Sequence, residues 1–188
     1  MITYRYGNIG LTYTCPSDRD QFFHWRNNYD IWKWCRQNGP ITYSQHSSYW
    51  HLVDGCNDKK FFAIVAADGT LGATPTTFKT VGCAGLTSID NVNSSAEFSL
   101  YIGPEYHRKG YGKTALKTLI EYGFNYLNLN SIWGETFDGN PALKMFLDIG
   151  MKQDGTRRGA YYRNGRYINC HLISALRQEW KFSKSSLA

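Results

Sequence analysis

The feature that most constrains this chain is a strand, a basic glycine-containing loop and an amphipathic helix that follow one another without interruption. Residues 96–102 alternate between polar and apolar side chains and predict a strand, because successive strand residues point to opposite faces. Apolar residues then recur at helical spacing from 116 to 127. The loop opens this helix, and the first amides of a helix have no partner within it. The sequence therefore predicts a mixed α/β domain with an anion site at this junction.

The composition of the loop indicates that the anion is a phosphate group. Gly110 and Gly112 allow the backbone to approach a ligand closely, and three cations share the same turn. A surface turn relaxed by glycine would explain the glycines but not the cations beside them. The predicted contacts are His107, Arg108, Lys109, Gly110, Tyr111, Gly112 and Lys113.

Two familiar phosphate motifs fit this loop less well. A Walker loop would need a glycine five residues before Gly112, where this chain has histidine, so that interpretation fails. A dinucleotide fingerprint fits Gly110, Gly112 and Ala115, with Glu135 as the acidic residue on the next strand. However, its turn should follow the strand at once, whereas residues 103–109 intervene here. The dinucleotide interpretation therefore ranks second.

Turn and capping signals predict the remaining elements. Strands are expected at residues 2–6, 9–14, 61–66, 82–89, 131–137 and 167–176, with a tight hairpin at Asn164-Gly165. Helices are expected after a capping box at 17–20, over 31–37, after a cap at Ser44, and after Asn140-Pro141. Residues 70–80 show no periodicity and are predicted to form a loop.

Several blocks of sequence occur in an order and spacing shared with a known family. They are Cys15-Pro-Ser-Asp18, Trp25-Arg26-Asn27, residues 96–102 with the loop that follows, residues 122–130, residues 140–151 and a hairpin within residues 157–180. Together they resemble the GNAT superfamily of N-acetyltransferases, over residues 9–180. Within it, the chain is similar to the branch that contains ribosomal-protein alanine and polyamine acetyltransferases. The Trp-Arg-Asn triplet is similar to that of acetyltransferases acting on nucleotide-linked amino sugars.

The resemblance implies one α/β (α+β) domain over residues 1–188, with a frayed tail at 181–188. A GNAT-type fold has a mixed central sheet with flanking helices and a splayed pair of strands that holds the coenzyme. It implies acetyl-CoA as the acyl donor, no metal, and direct attack of a primary amine on the thioester. A strand amide near residues 100–102 is then expected to stabilise the reacting oxygen. The resemblance extends the coenzyme contacts to Leu100, Tyr101, Ile102, Asn140 and Phe146.

The base that deprotonates the amine is predicted to be Glu97. Glu97, Ser99 and Tyr101 share one face of the strand, and apolar neighbours would strengthen a carboxylate there as a base. A half-exposed glutamate in a cross-strand pair is an equally simple interpretation. Glu135 is the alternative base, although a substrate-binding role at the rim suits it better.

The general acid is less well indicated. The family often has a tyrosine at the position of Phe146, and a phenyl ring cannot donate a proton. Tyr101, Tyr162 or water would then have to protonate the leaving thiolate. A thiol has a pKa of about 8.5, so it leaves with little help.

The acceptor amine is not identified by the sequence. The predicted substrate-binding residues are Trp25, Arg26, Glu135 and Tyr162. The Trp-Arg-Asn triplet favours an amino sugar carried on a nucleotide, and the general layout suits a protein N-terminus equally well. The net charge of +6 argues against a polyamine, which prefers an acidic pocket. A non-catalytic acyl-CoA-binding module is the alternative to an enzyme.

Composition limits the remaining classes of function. Basic residues outside the loop are scattered, so we expect no nucleic-acid partner. Five cysteines at wide spacing, without Cys-x-x-Cys, indicate free thiols and a cytoplasmic protein. Neither a signal peptide nor an apolar run of about 18 residues occurs, so we expect no membrane partner. The histidines lack metal-binding spacing, and the sequence leaves the oligomeric state open.

Overall fold

The computed structural model describes residues 4–68 and 77–182. In these ranges the strands are β1 (Tyr4–Tyr6), β2 (Ile9–Tyr13), β3 (Lys60–Asp68), β4 (Thr77–Asp90), β5 (Ser95–Ile102), β6 (Ser131–Phe137), β7 (Lys152–Arg163) and β8 (Arg166–Leu176). The helices are α1 (Pro16–Arg26), α2 (Tyr29–Trp32), α3 (Tyr43–Gly55), α4 (Tyr111–Tyr126) and α5 (Ala142–Asp148). None of these helices is both long and apolar enough to cross a lipid bilayer.

The eight strands of the described residues form one sheet in the order β1-β2-β3-β4-β5-β6-β8-β7. All neighbouring strands are antiparallel except β5 and β6, which are parallel. The parallel pair requires a crossover connection, and α4 lies between the two strands in the chain. The sheet is therefore mixed, as predicted, and its one parallel junction follows the predicted loop.

Helices cover both faces of the sheet. The apolar face of α4 packs on the larger core cluster, where Leu116, Leu119, Ile120 and Phe124 are fully buried. On the other face a second cluster joins α1, α2 and α3 to the sheet, with Phe22 as its fully buried aromatic side chain. Removing these faces from water is the main stabilising term, at about 25 cal/mol per Å² of apolar surface.

The alternation predicted for β5 holds in the structure. Its even-numbered side chains from 96 to 102 belong to or pack against the cluster under α4, whereas Tyr101 packs against the cluster under α1–α3. Strand periodicity therefore turns Glu97 and Ser99 toward the α1–α3 side. This division gives the two sides of the parallel junction different chemistry.

Several predicted boundaries need correction. The first helix is capped by Cys15, with Asp18 as the third residue of its capping box, because Pro16 favours the first helical position. α2 begins at Tyr29 and ends at Trp32, so the helix predicted over 31–37 is wrong beyond Trp32. The third helix is capped by Thr42 instead of Ser44, through a box completed by Gln45.

The loop predicted over 70–80 is partly wrong. Residues 77–80 belong to β4, which pairs with β3 from Thr77 onward. The remaining residues, 70–76, lie outside the described residues. Residues 183–188 of the predicted frayed tail lie outside them as well.

Candidate functional site

A fork between β5 and β6 creates the main cleft of the described residues. The two strands pair only from Ser95 to Glu97, against Ser131 to Trp133, and then separate. β5 keeps its pairing with β4 as far as Ile102, so the separation leaves the opposite edge of β5 without a partner strand. The resulting cleft has a volume of about 1090 Å³ and is lined from both faces of the sheet.

The loop from β5 to α4 is held in an unusual backbone conformation. A short 3-10 turn over Pro104–Tyr106 leads into Arg108, whose φ of 61° lies in the left-handed region, and Gly110, whose φ is 79°. A non-glycine residue in that region is uncommon and is retained mainly where surrounding structure enforces it. The His107 Nε2 atom donates to the Ile102 carbonyl over 2.8 Å, which ties the loop back to the end of β5.

The N-terminus of α4 faces this cleft without a cap. In the described part of the chain, no side chain accepts a hydrogen bond from its first amides. A β-carbon added to Gly112 would lie 3.4 Å from Ile102 Cγ1 and 3.8 Å from Met145 Sδ, so the absence of a side chain keeps this end of the cleft open. Arg108 and Lys113 also line it. Free amides, a helix dipole and two cations together are suited to bind an anion.

Most of the predicted coenzyme contacts line the cleft. They are Leu100, Tyr101, Ile102, His107, Arg108, Gly110, Tyr111, Gly112, Lys113, Asn140 and Phe146. Lys109 is the exception, because its ammonium group lies over the Tyr106 ring, 5.4 Å from the centroid. The Asn140 side chain also caps the start of α5, where Oδ1 accepts from the Ala142 amide over 2.9 Å.

Trp25 packs against the start of the loop from the cluster under α1–α3 and does not line the cleft. Its side chain is 4% exposed and packs so closely on Gly103 that an added β-carbon there would lie 2.5 Å from the indole ring. The indole Nε1 donates to Glu105 over 3.1 Å. The structure thus gives Trp25 a packing role and no support for the predicted substrate-binding role, since its helical spacing turns the ring into the core.

Glu97 lies at the apex of the fork. It is the last residue of β5 that pairs with β6, and its side chain is only 14% exposed. Arg36, from the connection between α2 and α3, binds both carboxylate oxygens of Glu97, with Nη1 to Oε2 at 3.2 Å. The surroundings of Glu97 are thus ionic and differ from the predicted apolar ones.

Glu135 lies on the other arm of the fork and takes part in the same network. Its carboxylate accepts from the Tyr161 hydroxyl over 2.7 Å, from Arg157 Nη1 over 2.9 Å and from Arg36 Nε over 3.3 Å. Burial alone would raise the pKa of Glu135, but these three donors outweigh it and lower the pKa. Glu135 is therefore held as a carboxylate, and Arg36 bridges the two arms.

The segment that carries Arg36 is anchored to the sheet. Arg163 of β7 donates from Nη2 to the carbonyl groups of Cys35, Arg36 and Gln37, at 3.0 to 3.4 Å. Gln37 in turn accepts from Arg26 Nε over 2.9 Å. Sequence reasoning missed Arg36, Arg157, Tyr161 and Arg163 as site residues, because their contacts depend on loop direction and strand register.

Two predicted tyrosines need reassignment. The Tyr101 ring packs edge-on against Phe22, and burial, followed by the neighbouring Cys83, raises the pKa of its phenol well above 10.0. This makes Tyr101 an unsuitable acid for a thiolate. Tyr162 is 54% exposed and packs on Tyr167 at the tip of the hairpin, outside the cleft. Its neighbour Tyr161 donates to Glu135 instead, so the structure gives no support to the substrate-binding role predicted for Tyr162.

Phe146 occupies the predicted position with a changed role. It is 6% exposed, lines the cleft and packs edge-on against Phe98, with ring centroids 5.3 Å apart. It therefore supplies an apolar wall between α5 and β5.

The chain is similar in sequence to known acetyltransferases. The sequence profile of the acetyltransferase (GNAT) domain family matches residues 8–152. The uncharacterized N-acetyltransferase p20 of Bacillus licheniformis is 31% identical over 105 residues, 55% of this chain and 59% of that protein. Spermidine N(1)-acetyltransferase of Vibrio cholerae serotype O1 is 32% identical over 101 residues, 53% of this chain and 58% of that protein. The matches thus span less than three-fifths of the length of these relatives.

The fold is shared with a solved structure over nearly the whole chain. The spermidine N-acetyltransferase from Vibrio cholerae, in complex with CoA and spermine, superimposes with a TM-score of 0.82 at 21% identity, covering 92% of this chain and 97% of that chain. This confirms the predicted mixed sheet with flanking helices. Since the family profile covers more than half of the sequence and the fold agrees, the chain belongs to the GNAT family of acetyltransferases.

Proposed function

We propose that this protein transfers the acetyl group of acetyl-CoA to a primary amine. The observation that carries the proposal is the fork, which places an uncapped helix N-terminus at one end of a cleft and a nearly buried carboxylate, Glu97, at its apex. The helix end suits a polyphosphate, and the carboxylate suits a proton transfer. Because Glu97 lies on β5 and the N-terminus of α4 follows the end of β5, the cleft fits a ligand that extends along this strand.

The residues present fit the coenzyme. The amides of residues 111–113 and the side chains of Arg108 and Lys113 would hold its phosphate groups. The apolar chain would lie between β5 and α5, where Leu100 and Phe146 form opposing walls. Bound acetyl-CoA supplies a thioester carbonyl that an amine attacks, with a thiol as the leaving group. The free edge of β5 supplies the backbone donors for the carbonyl oxygen.

Glu97 is the residue that we assign as the base. A lysine-like amine with a pKa of about 10.4 is neutral in roughly one molecule in 2,500 at pH 7, so the enzyme must remove a proton. Glu97 faces the α1–α3 side at the point where the strands separate, and Glu135 is tied to three donors. Arg36 neutralises both carboxylates, so it must turn from Glu97 for the proton to reach Oε1 or Oε2.

The leaving thiol receives no assigned acid from the protein. Phe146 cannot donate a proton, and the Tyr101 phenol is directed into the core. A thiol with a pKa of about 8.5 is a good leaving group as its thiolate. Water in the cleft then supplies the proton.

The acceptor enters from the α1–α3 side, where Arg26, Arg36 and Glu97 line the cleft. We call this wall the acceptor side. A small-molecule amine and a protein N-terminus both fit the opening. Acetylation of a small amine is supported by the sequence similarity to the Vibrio cholerae relative, a spermidine N(1)-acetyltransferase.

Thiol release from acetyl-CoA, with the product mass determined, tests the proposal against amino sugars and their nucleotides, peptides, polyamines and aminoglycosides. We expect at least one class to show turnover that saturates with both substrates. Tight binding of acetyl-CoA without acetylation of any amine would contradict the enzyme and favour a non-catalytic acyl-CoA-binding module.

A further inference from the structure

The carboxylates of the acceptor side are already neutralised by the protein itself. Arg36 pairs with Glu97 and Glu135, and Arg157 adds a second guanidinium to Glu135. Both glutamates are nearly buried, at 14% and 11% exposed, whereas the arginine side chains are 49% and 52% exposed. A polycationic acceptor that approaches this wall first meets the guanidinium groups. Like charges there oppose its binding.

Arg26 adds a cation that no carboxylate of the described residues neutralises. It lines the cleft, is partly buried, and forms no ion pair with any residue of the described ranges. Its Nε and Nη2 atoms donate to Gln37, and its guanidinium carbon lies 5.9 Å from the Tyr101 ring centroid. The Nη1 atom donates to no protein acceptor within the described ranges. A guanidinium in this state is suited to bind a phosphate or carboxylate group.

The position of Arg26 separates it from the anion site at α4. Tyr101, which Arg26 overlies, packs against the cluster under α1–α3, whereas Leu100 and Ile102 pack against the cluster under α4. Arg26 therefore lies on the same side of β5 as Glu97. The α-carbons of Glu97 and Tyr101 are about 13 Å apart along an extended strand. An anionic group at Arg26 would thus sit within one small-molecule length of the base.

We propose that the acceptor is a primary amine on a molecule that also carries a phosphate or carboxylate group, which Arg26 binds while Glu97 receives the amine. This inference rests on the proposed acetyl transfer and specifies its second substrate. Arg36 acts as a positioning residue: it pairs with both glutamates, so their negative charge does not repel the anionic group of the acceptor. The arrangement selects against polyamines.

Two matched pairs of amines test this class of acceptor. Glucosamine is compared with glucosamine 6-phosphate, and the dipeptide amide Ala-Gln-NH2 with Ala-Glu-NH2, with spermidine as the polycation. In at least one pair we expect the anionic member to exceed its neutral partner and spermidine in kcat/KM by about tenfold or more. The two pairs distinguish a phosphate from a carboxylate. A preference for the neutral members or for spermidine would overturn the inference while leaving the acetyl transfer intact.

Variants of Arg26 and Gln37 connect that preference to the guanidinium group. Arg26→Gln should reduce the preference to within about threefold, by lowering kcat/KM for the anionic member more than for its neutral partner, because a charge-assisted contact is lost. Arg26→Lys should retain most of the preference. Gln37→Ala removes the same internal hydrogen bond but keeps the charge, so it should retain the preference. Equal losses for both members of a pair, or the same loss in Gln37→Ala, would contradict the role of Arg26.

Calorimetric binding of the same pairs in the presence of CoA gives a readout that does not need turnover. We expect the anionic member to bind at least about tenfold more tightly, and Arg26→Gln to remove the difference. If no amine is acetylated but this difference in binding is found, acetyl transfer fails and the anion site stands. If no difference in binding is found, the anion site fails.

Discussion

The two ends of the cleft are built in different ways. At the α4 end, the elements that face a ligand are nearly continuous in sequence, from β5 through the loop to Lys113. At the acceptor side, Arg36 bonds to Glu97 and Glu135 across 61 and 99 residues of chain. The first end depends on backbone amides and glycine, whereas the second depends on long charged side chains.

This difference has a functional consequence. Backbone amides at a helix N-terminus suit a ligand that never changes, because their geometry is set by the helix itself. A network of arginine and glutamate side chains can change its partners by substitution without disturbing the fold. We therefore expect variants at the α4 end to weaken coenzyme binding and variants at the acceptor side to alter catalysis and acceptor choice.

The largest expected effect is on the chemical step. Glu97→Gln keeps the size of the side chain and an acceptor for Arg36 but removes the basic carboxylate. We expect kcat to fall by about 10²-fold or more, with the Kd for acetyl-CoA unchanged. Steady-state kinetics and calorimetry measure the two quantities.

Two further variants control this measurement. Asp148→Asn removes a carboxylate whose partner is Lys144 on the surface of α5, and should leave kcat unchanged. Glu135→Gln should lower kcat less than Glu97→Gln does. A larger loss in Glu135→Gln would move the base to β6 and contradict the assignment.

A smaller effect is expected from Gly112→Val at the α4 end. The new side chain would enter the space bounded by Ile102, Leu100 and Met145, where an added β-carbon already lies 3.4 to 3.8 Å from side-chain atoms. We expect the Kd for CoA to rise by about tenfold or more, because the side chain displaces the ligand from this end. Gly55→Ala is the control, since nothing lies within 4 Å of its added β-carbon. Unchanged affinity in Gly112→Val would place the coenzyme elsewhere.

Arg163→Met tests the anchor of the acceptor side. The variant removes the donors to three carbonyl groups of residues 35–37, at about 0.5–1.5 kcal/mol for each hydrogen bond. We expect KM for the acceptor to rise about five- to tenfold, while the Kd for CoA changes less than about twofold. An equal change in both constants would show that the two ends are not independent.

The smallest effect is a change in the pH dependence of stability. Because the pKa of Glu135 is lowered in the folded protein, its contribution is present above the unfolded value of 4.5 and is lost as the pH falls through the lower folded value. Below about pH 5, the free energy of unfolding of Glu135→Gln should therefore fall less steeply with decreasing pH than that of the unmodified protein. The difference between the two slopes should correspond to the uptake of about one proton or less on unfolding. Urea unfolding at several pH values measures the slopes, and identical slopes would contradict the ionic network at Glu135.

The α4 end could be predicted from sequence because its signals are local. Residue 110 has a left-handed φ, a conformation that favours glycine. The apolar face of α4 follows helical spacing. The parallel junction of β5 and β6 follows from a helix placed between two strands.

The acceptor side could not be predicted in the same way. α2 ends at Trp32, so helical periodicity says nothing about where Arg36 points. Tyr161 and not Tyr162 donates to Glu135, and this contact depends on the register of β7 against β8, which shifts between Arg157 and Tyr161. The burial of Trp25 could not be predicted either, because a helix residue next to a site can line the cleft or pack beneath the loop that forms it.

A crystal structure with acetyl-CoA bound tests the central assignment most directly. The account predicts diphosphate oxygens within about 3 Å of the amide nitrogens of residues 111–113, with the thioester between the arms of the fork near Glu97. A coenzyme bound outside the fork, or an α4 N-terminus that makes no contact with its phosphates, would contradict the account.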